Sequence, residues 1–235
     1  MMKICLGASP ARANEINYLA KNITVGVGGK HVIYNLLMAS LDLDDEVIIP
    51  APYWVSYPDI VSLCGGKPII IETKIGNGFK ISANELEQRI TNKTKWFIIN
   101  SPSNPTGAVY SKNELKQISD VLIRYPNINI LSDDIYEHII YGQDEFTNIL
   151  NVEPKLYDRT FIVNGVSKAF SIFFHFRLFT SPRRWIAAMP VLCQEYMLQG
   201  SGCAAHKNRG PCPPPRAPTL WFCVLSWPPF CLFYR

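Results

Sequence analysis

Residues 95–107 read KWFIINSPSNPTG. Trp96, Phe97, Ile98 and Ile99 are apolar without the alternation of a half-buried strand. Such a run belongs in a strand covered on both faces, as in a parallel sheet. It stops at Asn100. Beyond it, Pro102 and Pro105 restrict the backbone of a polar loop, and so restrict where the Asn104 side chain stands. Ligands of open parallel sheets bind beyond the carboxyl ends of the strands. The loop leaving each strand is therefore the place to look for chemistry.

Outward from this strand the pattern repeats. Strands are expected at Ile23–Val27, Glu46–Ile49, Pro68–Glu72, Lys95–Asn100, Ile128–Ser132 and Thr160–Asn164, from short β-rich runs. Between them, His31–Leu41 sets Ile33, Leu36, Leu37 and Leu41 at helical spacing, and Lys112–Arg124 does the same with Leu115, Ile118, Val121 and Leu122. Strands alternating with helices predict an α/β fold, a mostly parallel sheet with helices on both faces.

After the first strand comes Gly28-Gly29-Lys30, leading into a helix. Bare amides and the helix dipole would face an anion there. The spacing fits neither a Walker loop, which would need glycine at Thr24, nor G-x-G-x-x-G, because His31 takes the third glycine position. Alone, this is equally well a structural tight turn. After Ile128–Ser132 come Asp133, Asp134 and Tyr136; after Thr160–Asn164 comes Gly165-Val166-Ser167-Lys168. Each residue taken singly reads as a loop side chain facing solvent. Together they would gather an amide, a carboxylate, a phenol and an amine at one sheet edge.

Hydrophobic content of 48% and charged content of 18% describe an ordinary globular chain and exclude a disordered tract. The net charge of +4 hides a split. Residues 1–171 carry 16 Lys+Arg against 18 Asp+Glu, a balance of −2; residues 172–235 carry 7 against 1, a balance of +6. Five of the 7 cysteines, from Cys193 onward, and seven of the 18 prolines, from Pro211 to Pro229, also fall in the second stretch. Prolines at that density oppose regular structure. The domains read as a dissimilar segment 1–13, a core 14–171 and a dissimilar tail 172–235 without regular structure. No zinc spacing occurs, so no metal site is expected. The apolar stretch at Ile4–Leu6 is too short for a secretory signal, and Pro228-Pro229 interrupt the apolar end before it could span a bilayer. Cytoplasmic, without membrane or nucleic-acid partners, is the expectation; the tail's few cations are scattered among prolines.

The segments VGVGGKHVIYN, EVIIPAPYWVSYP, KWFIINSPSNPTGAVYS, LSDDIYEH and VNGVSKAFS resemble class I aminotransferases, nearest to the bacterial kind of aspartate aminotransferase. The resemblance implies the large domain of the fold-type I pyridoxal-phosphate-dependent transferases, truncated at both ends. It implies pyridoxal 5'-phosphate as cofactor and an amino acid and a 2-oxo acid as substrates, with aspartate and 2-oxoglutarate the expected pair. Lys168 resembles the catalytic lysine that holds the cofactor aldehyde and shuttles the Cα proton. Asp133 would pair with the ring nitrogen, and Tyr136 and Asn104 with the phenolic oxygen. Trp54 would stack on the ring face. Gly28, Gly29 and Lys30 would line the phosphate end, and Trp54 and Asn104 would also border the substrate. Glu137 and His138 receive no role, and His31 reads as a helix-start residue.

The resemblance also implies a homodimer with the site at a two-fold interface. Its lysine motif continues with glycine, arginine and glycine, where this chain has Phe174, Phe176 and Leu178. Phenylalanine cannot clamp a phosphate as arginine does. The change after Ser171 is what a frameshift or a fusion would leave. Transaminases for alanine or aromatic amino acids are the neighbouring alternatives. Another is a non-catalytic remnant that binds the cofactor weakly or not at all.

Overall fold

The computed structural model describes residues 16, 18, 22–26, 28–142, 145–165, 168 and 177–180. All of them lie in Met1–Glu195, the first of two units of the chain. The elements are β1 (Ile23–Gly26), α1 (Gly29–Ser40), β2 (Glu46–Ala51), α2 (Ser56–Leu63), β3 (Lys67–Glu72), α3 (Ala83–Glu87), β4 (Thr94–Asn100), α4 (Lys112–Arg124), β5 (Asn129–Asp133), α5 (Ile149–Val152), β6 (Thr160–Gly165) and β7 (Arg177–Thr180).

One seven-stranded sheet has the order β1-β7-β6-β5-β4-β2-β3. From β6 to β3 every pairing is parallel. β7 is antiparallel to both neighbours, so β1 and β6 point the same way. The chain segments that leave β1, β2, β4, β5 and β6 therefore emerge at one edge.

Strand interiors alternate between two cores, and this explains their unbroken apolar sequence. Val47, Ile49, Trp96, Ile98, Leu131, Phe161 and Val163 join α1 and α2 on one face. Ile48, Phe97, Ile99, Ile130 and Ile162 join α3, α4 and α5 on the other. Each core side chain removed from water contributes about 1.5–3 kcal/mol before entropy is counted. The one polar atom of fully buried Trp96 is satisfied, because its Nε1 donates to Ser40 Oγ at 3.1 Å.

Helix α4 forms where expected. Its capping box, Ser111 with Glu114, satisfies the first turn. Arg159 closes its other end, donating to the carbonyls of Leu122 at 2.6 Å, Tyr125 at 3.0 Å and Ile128 at 2.6 Å. Helix α1 starts two residues before the expected His31.

One short stretch differs from its expected conformation. Arg177–Thr180 lies in the stretch read as lacking regular structure, yet it is the strand between β1 and β6. Two neighbours with free edges impose extended backbone there regardless of side-chain period. The expected strand residue Val27, segment 1–13, and 172–176 and 181–235 of the tail lie outside the described residues. Among the described residues, no helix is long and apolar enough to cross a membrane.

Candidate active site

At the first of the gathered loops, Gly26 and Gly28 are held to glycine by geometry. A Cβ on Gly26 would stand 2.5 Å from Val32 Cγ1. Gly28, the N-cap of α1, has φ 108, a backbone that side chains disfavour. Among the described residues no side chain caps α1, and its first turn carries no acid. That 12-residue helix thus presents amides and a positive dipole end at the edge, and both Gly28 and Gly29 are buried there. Lys30 is exposed, its Nζ 5.5 Å from the centroid of the Trp54 ring. His31 lies within hydrogen-bond distance of Asn35 (Nε2 to Nδ2, 3.0 Å), and burial pushes its pKa down, as suits a helix-start residue.

From Trp54 a continuous line of contacts crosses the edge. Trp54, in the loop between β2 and α2, meets the Tyr57 ring edge-on, centroids 5.3 Å apart and planes at 88°. The Tyr57 hydroxyl donates to Asp133 Oδ2 at 2.8 Å. Asp133 ends β5 and is 3% exposed; its other oxygen accepts from the Ile135 amide at 3.3 Å. Asn100, ending β4, donates from Nδ2 to the Asp133 carbonyl at 2.8 Å. Its Oδ1 accepts from the Asn104 amide at 2.7 Å. Trp54, Asp133 and Asn104 are thus joined, although they are far apart in sequence. A recess lined by Pro52, Tyr53, Tyr57, Asn100 and Ser103 adjoins this line.

Tyr136 lies half-buried in the turn after β5. The next residue, Glu137, ties that turn to the end of β6: Asn164 Nδ2 donates to its Oε1 at 2.5 Å. His138 Nε2 is 3.3 Å from the same oxygen, while Glu137 Oε2 is buried without a hydrogen-bond partner among the described residues. Lys168, three residues beyond β6, is exposed with helical backbone. Topology brings Tyr136 and Lys168 to the same edge as Asp133, whose strand partner on β6 is Val163.

Sequence reasoning did not single out Tyr57 or Asn100. Asn100 had a signal, being the lone amide that ends an apolar strand. Tyr57 had none, because the direction of an aromatic ring in a short helix depends on packing.

Asp134 faces different partners from Asp133. Its Oδ1 is 2.7 Å from Ser132 Oγ, and Asn148 Nδ2 donates to its Oδ2 at 2.5 Å. Burial, reinforced by the negative charges of Glu137 and Asp133, pushes its pKa up to about 8.

The residues present fit a phosphorylated, aromatic, basic-nitrogen group. A helix N-terminus without a side-chain cap among the described residues suits its phosphate, an indole suits its face, and a buried carboxylate that accepts from Tyr57 and the Ile135 amide suits its nitrogen.

The comparisons with known proteins agree with this architecture. The family described as "Aminotransferase class I and II" matches residues 6–173, beginning ahead of residue 14, where the core read from the sequence begins. A probable aspartate/prephenate aminotransferase of Rickettsia felis is 57% identical over 161 residues, covering 68% of this chain and 39% of that protein. The aspartate/prephenate aminotransferase of Cereibacter sphaeroides is 53% identical over 159 residues, covering 68% and 40%. This chain thus spans about two fifths of the length of these two relatives. The crystal structure of the Rhizobium meliloti aspartate aminotransferase superposes with a TM-score of 0.76 at 45% identity, over 77% of this chain and 46% of that one. The fold is the large domain of the fold-type I pyridoxal-phosphate-dependent transferases. The chain belongs to the class I and II aminotransferases.

Proposed function

We propose that this chain carries the cofactor-binding core of a pyridoxal 5'-phosphate-dependent aminotransferase, acting on aspartate with a 2-oxo acid such as 2-oxoglutarate as acceptor. The observation that supports this best is the buried Asp133 carboxylate. It is tied through Tyr57 to Trp54, and through Asn100 to the Asn104 loop. The relatives' names pair aspartate with prephenate. Aspartate is an amino acid and prephenate a 2-oxo acid, and both are dicarboxylates, so the substrate class proposed here is a dicarboxylic donor and acceptor pair.

Bound at this edge, the cofactor supplies an electron sink for the charge left on the substrate Cα when its proton departs. The chain's residues supply the rest. Gly28 and Gly29 offer amides to the phosphate, with Lys30 as a nearby cation. Trp54 covers one ring face and keeps water from it. Asp133 would hold the proton on the ring nitrogen, and Tyr136 and Asn104 would hydrogen-bond the phenolic oxygen. Lys168 would hold the aldehyde through its amine, and that amine, when free, would take the substrate's Cα proton as general base.

Titration of the purified chain with pyridoxal phosphate, borohydride reduction and peptide mass mapping test this reading. The expected result is a visible absorption band and a single reduced adduct at Lys168, both lost in Lys168→Ala. Labelling scattered over surface lysines, equal in the variant, would overturn it. A transaminase assay with aspartate and 2-oxoglutarate then tests the substrate class.

A further inference from the structure

We propose that Tyr57 is a positioning residue of this site, setting the orientation of the Asp133 carboxylate toward the cofactor's ring nitrogen. The inference rests on the proposed function and adds a residue to it.

Tyr57 lies in the first turn of α2 and is 2% exposed. A phenol buried to that degree is unfavourable by a few kcal/mol unless its hydroxyl is paired, and phenylalanine would fill the same space. The pairing is with Asp133 Oδ2 at 2.8 Å, a neutral donor meeting a carboxylate. On the opposite oxygen the Ile135 amide donates at 3.3 Å. That amide belongs to Asp133's own turn, so the strand end holds one oxygen and α2 holds the other. The plane of the carboxylate is therefore set in part by a helix that is remote in sequence.

The same ring packs edge-on against Trp54 at 5.3 Å. One side chain thus touches both the group assigned to the ring nitrogen and the group assigned to the ring face. A carboxylate that must accept along one line, from a nitrogen in a ring stacked on Trp54, needs its plane matched to that indole. Tyr57 contacts both and can hold that match.

Cofactor affinity, measured by absorbance titration, and the pH dependence of the bound cofactor's absorption are read in four proteins: wild type, Tyr57→Phe, Asp133→Asn and the double variant. Expected is a loss of about tenfold in affinity for Tyr57→Phe, with a displaced pH profile. In the Asp133→Asn background, Tyr57→Phe should change affinity by less than about twofold, since the interaction it serves is already gone. As a second probe, 3-fluorotyrosine at position 57 keeps the ring and strengthens the donor. It should displace the pH profile opposite to Tyr57→Phe. An unchanged profile in both substitutions overturns the proposal, as does a tenfold loss that persists without Asp133, which would assign Tyr57 to packing on Trp54 alone. If wild type takes up no cofactor at Lys168, both this inference and the functional reading fall. Uptake at Lys168 with indifferent Tyr57 variants removes only this one.

Discussion

Asp133 and Asp134 are adjacent, and both are buried, yet they serve opposite sides of the sheet edge. Asp133 turns toward α2, where its partner Tyr57 belongs to the core shared by α1 and α2. Asp134 turns toward α5, whose N-cap is Asn148 and whose Ile149 and Leu150 join the other core. Successive residues of extended chain point to opposite faces, so one acid of the pair had to go each way. The first bonds a residue 76 positions away and connects the parts of the site. The second bonds Ser132 and Asn148 nearby and stitches β5 to α5. Under the proposed function, identical side chains would thus take a cofactor-facing task and a structural task according to which face of the sheet receives them.

The sharpest way to break this comparison is through pH. Burial and the charges of Glu137 and Asp133 push the Asp134 pKa from its ordinary 3.8 to about 8. Such an acid holds its proton more tightly when folded than when unfolded. Its contribution to stability is full below about pH 4 and is lost as pH rises toward and through about 8. The wild type should therefore lose up to about 1.4 kcal/mol per pH unit relative to Asp134→Asn across that window. Denaturant unfolding of both proteins at several pH values measures this. Parallel curves would mean that Asp134 is ionised when folded and that its environment differs little from that of an ordinary surface acid.

A smaller effect separates the two acids by ligand. Asp133→Asn should weaken pyridoxal phosphate binding by about 10- to 100-fold, the worth of one charge-assisted hydrogen bond. Asp134→Asn should stay within about twofold of wild type. Equal losses would show that both acids serve the cofactor only through the integrity of the β5 end.

How far each element was legible in the sequence depends on what decides its conformation. β4 and β5 could be read because both cores draw on them, which leaves a run such as Trp96-Phe97-Ile98-Ile99 no polar position. α4 could be read because Leu115, Ile118, Val121 and Leu122 recur at helical spacing and Ser111 marks its start. α2 was not legible: it has 8 residues, with Pro58 in its first turn, and its buried apolar residues Tyr57, Ile60 and Val61 are too few for periodicity to emerge. β7 was not legible because its conformation comes from pairing with β1 and β6 rather than from its own residues. The site divides likewise. Strand direction decides which loops gather at that edge, and the resemblance picked out Gly28, Asn104, Asp133 and Lys168 on them as candidates. Which side chains support them depends on packing between elements, and so Tyr57 emerged only in three dimensions, while Asn100 had the signal of an amide ending an apolar strand.

The smallest expected effect concerns Lys30, where the two ends of the site meet. Its ammonium lies over the Trp54 ring at 5.5 Å, while its backbone belongs to the first turn of α1. An exposed cation over an indole contributes about 0.5–1 kcal/mol, and an exposed charge near a phosphate is screened by salt. Lys30→Ala should therefore weaken cofactor binding by about two- to fivefold at low salt. It should also reduce the salt dependence of that binding, with Lys30→Arg restoring both. Titrations at two ionic strengths read these quantities together. A loss beyond about a hundredfold would make Lys30 the principal anion contact and demote the amides of Gly28 and Gly29. No change at either salt would leave the phosphate to the uncapped end of α1 alone and reduce Lys30 to a cover for Trp54.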